Sequence, residues 1–109
     1  MKRGNDNFTI PASAARLSEA VCGDYYRRAT AIRNGIASGA VLDVCMQLNI
    51  AVETALEGLE NGVRSEMLKD VALGRGYNKS NLGAFMAKNT YYDRRRKLIY
   101  DIAKELNLV

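Results

Sequence analysis

The chain has 109 residues, 48% of them apolar, and sixteen lysines and arginines against twelve acids give it a net charge of +4. That length suits one domain, or one with a small subdomain, and abundant Ala, Leu, Met, Glu, Lys and Arg without alternating β-branched runs imply an all-α fold. With no histidine, no CxxC and no stretch of 18 apolar residues, a metal centre and a membrane span are not expected.

Residues 1–11 are polar and aperiodic, and a loose tail is expected there. Met1-Lys2-Arg3 is basic, but no apolar core follows before Asp6 and Asn7, so a signal peptide is not expected and the expected location is cytoplasmic. Segment 12–62 reads as a helical hairpin. Ser13 can cap a first helix with the stripe Leu17, Val21, Tyr25, Ala29 and Ile32, with Arg27 and Arg28 pointing away from it. Asn34-Gly35 is the expected stop. A second helix from about Ala40 to about Glu60 carries Val41, Cys45, Leu48, Val52, Ala55 and Leu59 in a heptad seam, closed by Asn61-Gly62. The seam can pack on the first helix, or it can join two copies of the chain. Cys22 and Cys45 lie on apolar stripes and read as reduced core thiols.

Segment 63–109 reads as a helix-turn-helix. A helix from Val63 to Leu73 carries Val63, Met67, Leu68 and Val71, and a glycine-rich loop, 74–79, follows. Ser80 can cap a short helix, 81–87, with Leu82, Phe85 and Met86 as its apolar set. A tight turn at Lys88-Asn89 leads to a long basic helix, with Thr90 as its cap, Asp93 as a weak capping-box partner and its end near Leu106.

Charge is segregated along this chain. Residues 1–35 carry net +3, residues 36–78 net −3 and residues 79–109 net +4. Basic ends of that kind suit a polyanion. The densest run, Tyr91-Tyr92-Asp93-Arg94-Arg95-Arg96-Lys97, opens the last helix. At about 100° per residue, Tyr91, Leu98, Ile99, Ile102 and Leu106 share a buried arc, with Arg95 in its middle and Arg94 at its edge. Tyr92, Arg96, Asn89, Asp93 and Lys97 share the open arc. Arg96 and Tyr92 are then candidates to face bases, and Lys97 to meet phosphate. Lys79, Lys88 and Arg75 flank the same end and can hold backbone phosphates. The expected DNA-binding set is therefore Lys79, Lys88, Asn89, Thr90, Tyr92, Arg94, Arg96 and Lys97, with Arg27 and Arg28 as a secondary basic cluster. Tyr100 fits either a buried phenol or a partner contact.

Residues 89–106, from Asn89-Thr90-Tyr91-Tyr92 through Arg94-Arg95-Arg96-Lys97 to Ile102-Ala103-Lys104-Glu105-Leu106, resemble the close of phage late-gene transcription regulators of the RinA/ArpU type. More distantly, Arg64 to Leu106 is similar to the helix-turn-helix of sigma factor region 4. The resemblance covers the C-terminal half. It implies a phage or prophage activator that binds double-stranded DNA at a late promoter and works with host RNA polymerase. Leu82-Gly83-Ala84-Phe85 departs from the pattern, since sigma-like domains carry an acidic residue and then Ile-Ala there.

Two other readings stay open: a helical adaptor of the transcription machinery without strong DNA affinity, and a DNA-packaging or replication accessory protein. An enzyme is not expected. No nucleophile has a partner base in the pattern, no carboxylate cluster is spaced for metal, and Gly74-Arg75-Gly76 lacks the preceding strand that a phosphate-cradling loop requires. No cofactor is expected. A homodimer is compatible with the seam.

Overall fold

Five helices carry the described part of the chain: α1 (Ala12–Gly23), α2 (Tyr25–Arg33), α3 (Gly39–Leu56), α4 (Asn61–Leu73) and α5 (Lys88–Glu105), with single 3-10 turns at Tyr77–Lys79 and Asn81–Ala84. This is a computed structural model that describes residues 8–109, so the expectation for residues 1–7 lies outside the described residues. The all-α class holds among the described residues.

Several helix ends follow from local chemistry. Gly35, at φ +70°, closes α2 by accepting a left-handed backbone, with the amides of Gly35 and Ile36 bonding back to Ile32 and Ala31. Gly74, at φ +69°, closes α4 in the same way through Val71 and Asp70. Ser80 caps its turn as expected, its hydroxyl accepting the Leu82 amide at 3.0 Å.

Other ends depart from expectation. Ser13 lies inside α1, whose N-cap is Pro11 without a side-chain cap. The single long first helix is broken at Asp24 into α1 and α2. α3 ends at Leu56 rather than near Glu60, and Asn61 opens α4 instead of ending α3. The Arg64 side chain accounts for that early stop. Its guanidinium donates to the carbonyls of Leu59 (2.8 Å) and Glu57 (3.1 Å), which satisfies backbone acceptors just past the helix end. The expected short helix shrinks to one 3-10 turn, as Gly83 inside it would lead one to expect. Thr90 and Asp93 cap nothing: α5 begins two residues before Thr90, with Ala87 as an uncapped N-cap.

The core gathers Cys22 from α1, Val52 and Ala55 from α3, Leu59, then Val63, Met67, Leu68 and Val71 around α4, Leu82, and Tyr91, Leu98 and Ile102 from α5. α1 enters it through Ala14, Ser18 and Cys22; of the expected stripe, Val21 and Tyr25 pack against its edge, half-buried. Leu17 stays 53% exposed. Small side chains let α1 lie close against α4 and α5, its two main neighbours. α2 packs on α3 in antiparallel sense. The Tyr25 hydroxyl donates to Glu53 (2.6 Å), and Arg28 Nε donates to Asn49 Oδ1 (2.6 Å). The C-terminal half of α3 rests on α5, and α2 runs beside α3 as far as Glu53. By length and a mean hydropathy of 1.3, α3 would suit a membrane span on composition alone.

Candidate nucleic-acid interface

The basic run of α5 sits inside a frame of acids and carbonyls. Arg94 forms a forked pair with Glu60, Nε to Oε1 at 3.0 Å and Nη2 to Oε2 at 3.1 Å. That pairing holds the Glu60 carboxyl below its ordinary range and pushes the Arg94 guanidinium up. Arg96 donates to Asp93 at 2.6 Å, and Lys97 donates to Asp101 at 2.7 Å, at the i,i+3 and i,i+4 spacings that bring helix neighbours together. The Lys97 ammonium also stands 5.9 Å from the Phe8 ring centre, and Phe8 packs on Tyr100. Tyr100 is thus a half-buried phenol against the N-terminal segment.

Arg95 turns inward, as its place in the buried arc suggests. It donates to the Arg75 carbonyl at 2.6 Å and to the Tyr91 hydroxyl at 2.9 Å. Tyr91 is fully buried and donates to Asp70 Oδ2 at 2.9 Å. Burial, and then the bond to Asp70, push the Tyr91 phenol upward. Asp70, itself wholly buried, also stands 3.0 Å from Arg75 Nε, an ion pair without hydrogen-bond alignment. Arg75, expected to flank the DNA end and reach phosphate, is therefore committed to Asp70 and, at 3.7 Å, to Glu66. This network ties α4, the loop after it and α5 into one unit.

The loop is fixed to α5 a second time. The Tyr77 amide donates to the Tyr92 hydroxyl at 3.2 Å, and the Tyr77 hydroxyl donates to the Met86 carbonyl at 2.9 Å. Tyr92 therefore braces the loop with the group assigned to base reading. Of the eight expected contact residues, Lys79, Lys88 and Asn89 are exposed. Thr90, Tyr92, Arg94, Arg96 and Lys97 are half-buried.

The secondary cluster splits. Arg27 is exposed and pairs with Asp24 at 2.7 Å. Arg28, expected to point away from the packed face, is buried, bonded to Asn49 and to the Val21 carbonyl. Burial pulls its guanidinium downward. A buried arginine with its donors engaged is a structural joint between α2 and α3, not a surface contact.

Phe85 is also placed differently from expectation. Expected on the apolar side of a short helix, it is 82% exposed. One 3-10 turn has room to bury only Leu82, and Gly83 was the visible sign that the helix would be short. The result is an outward ring three residues before Lys88, at the mouth of α5. Among the described residues no cluster of cysteine and acidic side chains could hold a metal ion. No protein-family model, no curated protein and no solved structure matches the chain.

Proposed function

We propose that the protein is a sequence-specific DNA-binding transcription regulator that presents the first turn of α5 to the duplex. α4, the paired 3-10 turns and α5 form the helix-turn-helix of this reading, with α2 and α3 as the hairpin before it. The carrying observation is the contrast along α5. Arg94, Arg96 and Lys97 pair with Glu60, Asp93 and Asp101, and Arg95 turns inward onto the Arg75 carbonyl, whereas Lys79 and Lys88, with Asn89, stand exposed, with no ion pair to either lysine among the described residues. Two open cations, an amide side chain and an uncapped helix start suit phosphate and base edge together. Arg96, held by an exchangeable surface pair, is the next cation that a phosphate would recruit. Action with host RNA polymerase at a phage or prophage late promoter rests on the RinA/ArpU resemblance of residues 89–106.

A gel-shift salt series tests this reading. Contacts from Lys79, Lys88 and Arg96 release about three counterions, so log K should fall against log salt with a slope near −3. Lys88→Ala should lower affinity for all duplexes and flatten the slope by about one, and Asn89→Ala should cost about 1–3 kcal/mol on the preferred site only. No duplex binding at about 50 mM salt, or a Lys79→Ala/Lys88→Ala double variant that binds as the wild type does, defeats the proposal. The adaptor reading is favoured by one feature, the apolar outer surface of α3.

A further inference from the structure

We propose that the N-terminal half of α3, together with Ile36, is a self-association face through which two copies of this chain pair. Ile36 is 74% exposed, Val41 63% and Val44 53%. At about 100° per residue, Val41, Val44 and Leu48 fall in one arc of roughly 60°. Ala51, Val52 and Ala55 occupy nearly the same arc one to three turns on, and these three are buried where α3 meets the core. The exposed residues are thus the continuation of the core seam beyond the point where α5 covers it. Between Ile36 and Val52 the chain carries one charge, Asp43, and it falls outside the arc.

The occupant follows from shape and charge. Beside the ridge at Val44 runs a groove of about 420 Å³, lined by Ala31, Ile36, Ala37, Val41, Cys45 and Leu48. Ridge and groove lie side by side on one molecule, so a two-fold axis sets each ridge into the other copy's groove, the isologous arrangement most common in homodimers. Steps of three and four residues are those at which like helices interlock side chain into gap. The Arg27–Asp24 pair borders the same groove and offers one charge of each sign to its mate. Ile36, Val41, Val44 and the half-buried Leu48 make an apolar centre smaller than the roughly 800 Å² that each partner in a standard interface buries. A weak, concentration-dependent dimer is the consequence. A bilayer fits less well. The side of α3 that faces α2 bears Asn49, bonded to Arg28, and Glu53, bonded to Tyr25, so the helix would have to abandon both to cross a membrane.

Sedimentation equilibrium of the full chain over a range of concentrations tests this pairing independently of DNA binding. The wild type should pass from monomer to dimer as concentration rises. Val41→Glu and Val44→Glu should each weaken the dimer at least about tenfold while leaving helicity and the melting of the dilute monomer unchanged, since both side chains are largely in solvent there. Ile50→Glu, on the far side of α3 from this arc and 55% exposed, should leave the dimer intact. A wild type that stays monomeric throughout overturns the inference, as does dissociation by Ile50→Glu, an undisturbed dimer in Val44→Glu, or wild-type monomer floating with phosphatidylcholine vesicles.

Discussion

Tyr91→Phe removes one oxygen atom from the buried junction of α4, the loop and α5. In the wild type that hydroxyl gives its proton to Asp70 Oδ2 at 2.9 Å and accepts from Arg95 Nη1 at 2.9 Å. Both Tyr91 and Asp70 are fully buried, so no water replaces the lost donor. A charged acceptor stripped of one hydrogen bond costs about 1.5–3 kcal/mol. Arg95 keeps the Arg75 carbonyl at 2.6 Å, which places the net effect near the middle of that range. In a domain of this size each kcal/mol moves the melting temperature by about 4–8 °C, so Tyr91→Phe should melt roughly 10–15 °C lower. Asp70→Asn preserves volume but withdraws the charge that holds both Tyr91 and Arg75, and should cost at least as much. Urea unfolding followed by circular dichroism on both single variants and the double closes the cycle. The coupling expected for direct partners is about 1–2 kcal/mol. Additive losses, or a Tyr91→Phe variant within about 0.5 kcal/mol of wild type, would refute the network as the clamp on α5.

Alkali should destabilise the fold in a defined window. Burial pushes the Cys22 thiol from 9.0 up to about 12 and, with Glu53, pushes the Tyr25 phenol from 10.0 up to about 12. The unfolded chain loses these protons first, so the urea midpoint should hold below pH 9.0 and fall as pH rises towards 12; a flat profile across that span is the adverse result. Asp93→Asn should release Arg96 and, if the DNA reading holds, tighten duplex binding severalfold with a steeper salt slope; a gel shift that shows weaker binding would count against Arg96 as the recruited cation. Gly58→Ala brings a methyl to 2.8 Å from Lys97 Nζ and 3.2 Å from Asp101 Oδ2. Both side chains can swing away, so the expected loss in urea melts is about 1 kcal/mol or less, and a loss of 3 kcal/mol or more would mean a backbone clash with the Ala55 carbonyl.

The helical class was legible because periodicity and stop signals agreed. Val63, Met67, Leu68 and Val71 enter the core as spaced, and Asn34-Gly35 and Gly74 end α2 and α4. The face of α1 was legible only in part: Val21 packs against the core as spaced, but hydrophobic size favours Leu17 while close helix packing favours Ala14, Ser18 and Cys22. The fate of Arg28 was not legible. An arginine on a helix reads as solvated until a specific acceptor such as Asn49, twenty-one residues away, is known to meet it. The seam of α3 was legible from Val41 to Ala55, but the helix stops before Leu59, and of the helical seam only Val52 and Ala55 are buried.

Charge segregation along the chain has a local resolution. A basic segment and an acidic one in the same small domain can answer one another before either meets a partner, and Arg94 of the last segment does pair with Glu60 of the middle one. The spacings Asp93 to Arg96 and Lys97 to Asp101 were already in the sequence as helix neighbours. Counting cations in a run therefore overstates the field that a duplex would feel at Arg94 to Lys97. What a polyanion would meet first is the end of the helix where the acids are missing, at Lys79, Lys88 and Asn89. The carboxylates further along α5 then act as competitors that a phosphate must displace. A binder built in this way trades affinity for dependence on contacts at one helical turn, where base identity can decide whether the exchange is favourable.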